Sequence, residues 1–296
     1  MLDFCYDSRS MIENIITRSV EYLKLKAPDR ETLILGVSGG ADSALVAALA
    51  RMVCDKTKLK LVGRSMPTGS TSKEELERSV LVGEAFCDNF AVSANLDELF
   101  YPTASFLEPQ EEIENVNKAK VRYGNIKARL RMICLYNLAQ ANNGLVLGTD
   151  NLTEYLLGFW TLHGDVGDFG MIQNLWKTEV YHIMEYMVHR IYNGSSLKSK
   201  ALALRACIDA LPTDGLGVSK SDFDQLYPDH NTNASPKENY LAVDTILKKF
   251  LIEGLIENRS IVNRHLRSQF KRENPFNISR EHVLHKVLYL EPEKKL

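Results

Sequence analysis

Cysteine is scarce, with five in 296 residues. Cys5, Cys54, Cys87, Cys134 and Cys207 are an odd, widely spaced set with no C-x-x-C. That argues against a disulfide framework and against a zinc site. Cys54, Cys87, Cys134 and Cys207 each stand in apolar surroundings and read as small buried hydrophobes. Charge of one sign is not in excess: 36 basic and 38 acidic side chains leave a formal net charge of −2. This lacks the electrostatic footprint of a general nucleic-acid binder or of a membrane-surface protein. No apolar stretch reaches the ~18 residues that span a bilayer. The start, Met1-Leu-Asp-Phe-Cys-Tyr-Asp7, has no basic segment ahead of an apolar run, so a secretory signal is excluded and a cytoplasmic location is expected. No internal repeat or low-complexity tract occurs. No Ser-His-Asp or Cys-His signature is present.

The chain does have the means to build a core. It is 45% hydrophobic and 25% charged, ordinary for a globular protein. At roughly 100–200 residues per domain, it fits one large domain or two small ones. Met11, Ile15, Ile16, Val20 and Leu23 have helical spacing over 10–26, and Pro28-Asp29 ends that helix. Thr32-Leu-Ile-Leu-Gly-Val37 is a short apolar run suited to a buried parallel strand. A helix is expected over 42–52, a strand over 59–63, and a helix over 72–87 opened by a Ser72/Glu75 capping box. Further strands are expected over 89–93 and 144–148, flanking a helix over 125–141. The acidic, polar segment 100–121 reads as a surface helix or a mobile insertion. The Ser-, Asp-, Asn- and Gly-rich stretch 195–237 reads as a long loop of the kind that covers sites, and a helix resumes over 238–250. Strands alternating with helices give an α/β fold: a doubly wound, mainly parallel sheet with helices on both faces.

The chemistry starts at the first strand–helix turn, Ser38-Gly-Gly-Ala-Asp-Ser43. Backbone N–H groups of such a turn and of the helix behind it converge on one spot that favours an anion. Gly39 and Gly40 leave room for phosphate to approach the backbone, Ser38 and Ser43 add hydroxyls, and Gly36 just before them is a further candidate of the same binding stretch. Asp42 would repel phosphate unless a cation lay between them, so Mg²⁺ is implied. No lysine follows the glycines, which excludes an ordinary Walker A loop, and the run is not G-x-G-x-x-G either. A bare Ser-Gly-Gly would equally suit a generic turn.

The whole Ser38–Ser43 motif resembles the pyrophosphate loop of ATP pyrophosphatases, a group that includes GMP synthetase, asparagine synthetase, tRNA-thiolating enzymes and NAD synthetase. Two further runs, Gly124-Asn-Ile-Lys-Ala-Arg-Leu-Arg-Met132 and Leu147-Gly-Thr-Asp-Asn-Leu-Thr-Glu154, narrow this. With Gly158-Phe-Trp-Thr161 and Gly164-Asp165 they resemble ammonia-dependent NAD synthetase, strongly over 33–177 and more weakly to 280. The resemblance implies an adenine-nucleotide α-hydrolase-like fold, with residues 1–296 as a single domain. It implies ATP-dependent amidation of deamido-NAD by ammonia, through an NAD-adenylate with release of pyrophosphate and AMP. By the same resemblance, Asp42 and Glu154 hold Mg²⁺, Arg129 and Thr149 contact ATP, and Lys177 approaches its phosphates. Thr213 belongs to a mobile cover. Asp165, Asp168, Leu162 and His163 lie at the dinucleotide end, and Arg64, by a weaker transfer, near the nucleotide. Read alone, Glu154 also suits a helix N-terminus, Arg129 and Arg131 a solvated helix face, Lys177 a surface lysine, and Gly164–Asp168 a turn.

Departures from the family pattern bear on the substrate. Many members have lysine where Leu162 stands, so nicotinate mononucleotide is a rival to deamido-NAD. The cover reads Pro212-Thr-Asp-Gly-Leu216, which moves its acidic residue to Asp214, and 227–237 looks like an insertion. Lys271 and Arg272 resemble a basic tail, or are an ordinary basic turn. Only about 30 residues precede the first strand, too few for an N-terminal glutaminase domain, so ammonia is expected from solution or from a separate glutaminase. The resemblance also implies a homodimer, with the helices over 123–141 and 179–188 as candidate contacts or as plain core. A tRNA-thiolating enzyme is disfavoured by the charge balance and cysteine placement. A non-catalytic nucleotide-binding regulator is disfavoured by Asp42, Glu154, Arg129 and Lys177 occurring together.

Overall fold

The computed structural model describes residues 4–107, 116–165, 167–213 and 217–284. Its order is α1 (Ser8–Lys26), β1 (Thr32–Gly36), α2 (Ala41–Thr57), β2 (Lys60–Ser65), α3 (Lys73–Phe86) and β3 (Asn89–Val92). Then come α4 (Asp97–Leu107), α5 (Val116–Ala141), β4 (Gly144–Gly148), α6 (Leu152–Leu157), β5 (Phe169–Gly170) and α7 (Lys177–Tyr186). A π-turn over Met187–Ile191 prolongs α7, and α8 (Lys198–Ile208), α9 (Asp222–Leu226), α10 (Pro236–Glu253) and α11 (Arg259–Arg267) follow.

The strands form a parallel sheet in the order β3-β2-β1-β4-β5. Thr32 of β1 lies opposite Lys60 of β2 on one side and Gly144 of β4 on the other. Period-two alternation sends β1 residues to both faces. Leu33 and Leu35 enter the large core with α2, while Ile34 meets Val62, Val146 and Ala139 beneath α5. Each such buried aliphatic side chain contributes roughly 1.5–3 kcal/mol of transfer free energy. Helix α2 is buried all round from Ser43 to Ala50, which makes it the central helix. Helix α5 buries only part of its surface and leaves Ile133 exposed.

The parallel sheet, the helices on both faces and the Ser72/Glu75 capping box agree with the sequence reading. Several expectations do not hold. The stretch 195–237 carries α8 and α9, and α8 buries Ala203, Leu204, Cys207 and Ile208. Residues 97–107 form α4, and the helix expected from 125 begins at Val116. Cys87 and Cys134 are only half-buried. The helix over 179–188 lies in the core through Val180, Tyr181, Ile183, Met184 and Met187, so its apolar face is not available to a second subunit. Strand β5 had no counterpart in the sequence reading. Asp214 and Leu216 fall outside the described residues.

The chain leaves β1 toward β2 and later returns to its other side as β4. In such sheets the crevice beyond the carboxyl ends of the two central strands is the natural ligand site. The loops after β1 and β4 meet there.

Candidate active site

A cavity of about 400 Å³ opens in that crevice. Its floor is the turn between β1 and α2. Gly39 has φ +84, and a Cβ there would lie 2.5 Å from the Glu75 carbonyl oxygen and 2.9 Å from the Ser79 nitrogen. Only glycine lets α3 pack against this turn. Arg78 Nε donates to the Gly39 carbonyl at 3.0 Å and fixes it from the α3 side. Gly40 caps α2 without a side-chain hydrogen bond, so the first N–H groups of α2 carry no side-chain cap and the helix dipole favours an anion at this end. The Ser38 and Ser43 hydroxyls lie 3.0 Å apart, Gly40 N donates to Ser38 Oγ at 3.2 Å, and Ser43 Oγ donates to Gly40 O at 3.1 Å. Gly36 lines the cavity just before the turn.

The opposite wall follows β4. Thr149 and Asp150 line the cavity, and Asn151 is fully buried at the start of α6. Asn151 Oδ1 accepts from Glu154 N at 3.0 Å, and Asn151 Nδ2 donates to Asp42 Oδ1 at 2.9 Å. One amide therefore ties the two loops together. Lys177, the first residue of α7, is only 2% exposed. Its Nζ donates to Asp42 Oδ2 and, at 3.1 Å, to Glu154 Oε1. It also lies 5.0 Å from the Tyr240 ring.

Burial works against the Lys177 ammonium, but the Asp42 and Glu154 carboxylates outweigh it and hold its pKa well above the usual range. Burial, and then the Asp42 charge, push the Glu154 carboxyl upward, with Lys177 pulling it back. Asp150 is raised well above the ordinary carboxylate range by burial and by the charges of Asp165, Glu154 and Asp42. The wall is therefore over-supplied with negative charge, which a bound cation would relieve.

Asp165 lines the cavity and accepts the backbone N–H of Thr161. Burial raises its pKa. Lys271 reaches the same corner, donating to the carbonyls of Gly158, at 2.8 Å, and of Trp160. At the rim, the exposed Thr213 hydroxyl donates to Glu75 of α3. Asp222 N donates to Pro212 O at 3.1 Å.

Other expected residues stand elsewhere. Asp168 is exposed and does not line the cavity. Its Oδ2 accepts from Val146 N at 2.9 Å and its Oδ1 from the Tyr136 hydroxyl at 3.1 Å, so it pins the edge of β4. Arg129 is also outside the cavity; its Nη2 donates to Leu162 O at 3.1 Å. Arg131, two residues on, lines the cavity instead and donates to Met66 O at 3.3 Å. Residues two apart on a helix point in different directions, so the two arginines have separate surroundings. Leu162 and the exposed His163 sit on the outer side of the 161–165 turn, with Asn274 Nδ2 3.4 Å from His163 Nε2. Lys127 pairs with Asp97 at 3.7 Å and serves the α4–α5 contact. Arg64 lines the cavity but turns its guanidinium to Gly63 O and Asn89 Oδ1.

Sequence reasoning did not single out Asp150, Asn151, Arg78, Asp222 or Tyr240. Asn151 carried a signal: an Asn three residues before Glu154 is a helix-start pattern. Arg78 and Tyr240 carried none, because each reaches the site from a helix remote in sequence.

The description "NAD synthase" belongs to the family that residues 12–275 match. The chain is 30% identical to the NH(3)-dependent NAD(+) synthetase of Wolinella succinogenes over 268 residues, 88% of this chain and 93% of that protein. It is likewise 30% identical to the NH(3)-dependent NAD(+) synthetase of Mycoplasmopsis pulmonis over 274 residues, 90% and 91% of the two chains. In three dimensions it resembles the NMN synthetase of Francisella tularensis, with TM-score 0.68 and 22% identity over 98% of this chain and all of that one. It also resembles the NH3-dependent NAD synthetase of Campylobacter jejuni, with TM-score 0.63 and 24% identity over 92% and 100% of the two chains. At these identities the two structures speak for the fold.

Proposed function

The chain belongs to the NAD synthase family, and from that premise we propose that it converts deamido-NAD to NAD with ammonia and ATP. The observation that carries the reading is the convergence of Asp42, Glu154 and Lys177 beside the Ser38–Ser43 turn. Three separate stretches of sequence meet there, at the mouth of the β1–β4 crevice.

The ATP phosphates lie on the Ser38–Ser43 turn and the start of α2, where backbone N–H groups and two hydroxyls receive them. Asp42 and Glu154 are hard oxygen donors on the phosphate side of the cavity, so they would hold Mg²⁺ there. Such an ion supplies charge neutralisation and orientation of the triphosphate. The nicotinate carboxylate attacks the α-phosphorus, giving an acyl-adenylate and pyrophosphate. Lys177, released from its two carboxylates as charge builds on the phosphates, follows the leaving pyrophosphate. Ammonia then attacks the activated carbonyl, and AMP departs. Thr149 on one wall and Thr213 on the rim hold the nucleotide, and the cover to which Thr213 belongs shields the adenylate from water. Asp165 takes the nicotinate end. Arg131, rather than Arg129, is the arginine directed at the nucleotide.

A cytoplasmic setting, where ATP is at hand, goes with this reading. Ammonia is the nitrogen donor. The chain works as a homodimer. Support for that is the apolar surface α4 leaves exposed at Leu99, Tyr101, Phe106 and Leu107, next to α5. Among the described residues no helix is long and apolar enough to cross a membrane.

The test is pyrophosphate release and NAD formation from ATP, Mg²⁺ and ammonium, with deamido-NAD compared against nicotinate mononucleotide. Turnover with deamido-NAD alone supports the assignment. Preference for the mononucleotide moves the substrate one adenylyl group down and makes the Leu162 turn the determinant. Release with neither rejects the reading.

A further inference from the structure

Two buried side chains of α10 face the helix starts that carry Glu154 and Lys177, and the reaction above uses neither. Asp244 is 0% exposed. Its Oδ1 accepts from Thr153 Oγ1 at 2.5 Å. Its Oδ2 accepts from Thr178 N at 2.9 Å and Thr178 Oγ1 at 2.6 Å. Thr153 Oγ1 in turn accepts the backbone N–H of Lys177 at 2.9 Å. One carboxylate thus joins α6 beside Glu154 to α7 beside Lys177.

One helical turn earlier, Tyr240 projects from the same face of α10. It is also fully buried. Its hydroxyl donates to Asp222 Oδ2 at 2.8 Å, and its ring lies 5.0 Å from Lys177 Nζ. The ammonium therefore rests on a ring face as well as between two carboxylates.

A carboxylate at this depth is costly unless donors satisfy it. Burial pushes Asp244 up to about 6, against the pull of the Thr153 and Thr178 hydrogen bonds. An aliphatic side chain would fill the same space without that cost, but it would not tie α6 to α7. Placement matters here because an error of ~1 Å in a reacting constellation can cost ~100-fold in rate.

We propose that Asp244 is a positioning residue for the reaction: by bonding Thr153 and Thr178 it sets the spacing of Glu154 and Lys177, while Tyr240 steadies the Lys177 ammonium between them. The inference rests on the roles given above to Glu154 and Lys177.

The experiment compares the full chain with Asp244→Asn, Thr153→Val and Thr153→Ser at pH 7.5. Three quantities are measured: the thermal midpoint, the affinity for ATP with Mg²⁺ by calorimetry without a second substrate, and kcat and KM for NAD formation. Asp244→Asn presents an amide nitrogen to Thr153 and reverses that link. Its kcat is expected to fall at least tenfold with KM for deamido-NAD within twofold, and its thermal midpoint to hold or rise because a buried charge is gone. Thr153→Val is expected to lower kcat to a similar extent, and Thr153→Ser, which keeps the hydroxyl, to restore it. The proposal is overturned if kcat stays within twofold in Asp244→Asn and Thr153→Val. It is equally overturned if the losses follow the thermal midpoint and Thr153→Ser does not recover them. Should Asp244→Asn not fold, the Thr153 pair carries the test. If the unmodified chain makes no NAD, the reaction is misassigned. Positioning is then read from nucleotide affinity alone, expected to drop in Thr153→Val and return in Thr153→Ser; equal affinity in both rejects it.

Discussion

Lys177 acts in this fold as an internal counter-ion. Its buried ammonium offsets part of the negative charge of Asp42 and Glu154. Removing one partner of such a group leaves uncompensated buried charge, which typically costs about 3–5 kcal/mol. Lys177→Met is therefore expected to lower kcat by ~10²–10³ and to lower the thermal midpoint. Millimolar Mg²⁺ is expected to raise that midpoint more in the variant than in the unmodified chain, because the cation replaces the missing ammonium. Calorimetric scans with and without Mg²⁺ check this, and equal shifts would remove Asp42 and Glu154 as the metal ligands. Gly39 offers a second residue-scale test. With φ +84 and a Cβ contact of 2.5 Å to the Glu75 oxygen, Gly39→Ala is expected to cost about 1–3 kcal/mol and to abolish ATP binding in the same calorimetric assay. Asp42, Glu154 and Lys177 stood out in the sequence because their motifs did. Arg129 was chosen over Arg131 because spacing along a motif does not show which way a helix is turned. The buried Ala128 and the cavity-lining Leu135 stand three before and four after Arg131, and that phase places Arg131, not Arg129, toward the site. Asp168, which lies outside the cavity, shows a related limit of sequence: an Asp in a Gly-Asp turn looks the same whether it meets a substrate or the edge of a strand.

Among the elements, the apolar runs of β1, β2 and β4 and the capping signals of α3 were readable because local chemistry alone determines them. Helix α8 was hidden. Its buried positions 203, 204, 207 and 208 keep helical spacing, but polar sequence on both sides made the whole stretch look like loop. Strand β5 has two residues, too few for any period. Helix α10 was expected as a helix, yet its function in the fold rests on contacts with Thr153, Thr178 and Asp222, which lie far away in sequence. Its Asp244 also has a consequence for pH. The carboxyl titrates near 6 when folded, against 3.8 in the open chain. Between those values the folded protein keeps a proton that the unfolded chain has lost. Stability from this group is therefore complete below pH 3.8 and gone above about 6, a change on the order of 2–3 kcal/mol. Denaturant titrations from pH 4 to 7 are expected to show Asp244→Asn gaining on the unmodified chain as pH rises. A gap that is constant with pH would refute this.

For the whole molecule, the sheet divides unequal layers. One face is covered by α2, with α1, α3, α7 and α8 around it, and the other chiefly by α5. The thin side carries the exposed apolar residues of α4 together with Ile133 of α5. If this is where two copies meet, Phe106→Asp combined with Ile133→Asp is expected to convert a dimer to a monomer in sedimentation experiments. A variant that remains dimeric would place the contact elsewhere.

The pairing of β1 with β4 also sets an order of events during synthesis. Ile34 lies beside Val146 in the sheet, and Asp42 meets Lys177 only after α7 exists. Asp244 enters roughly 200 residues after Asp42. At roughly 5–20 residues per second on the ribosome, the phosphate turn waits on the order of 10–40 s for the wall that completes it. Helix α2 and its strand emerge first as a half-built sheet with an open edge where β4 will dock. The Asp42–Lys177 pair therefore cannot form before α7 has been made, and the chain's most vulnerable interval is the wait for β4 to close that edge.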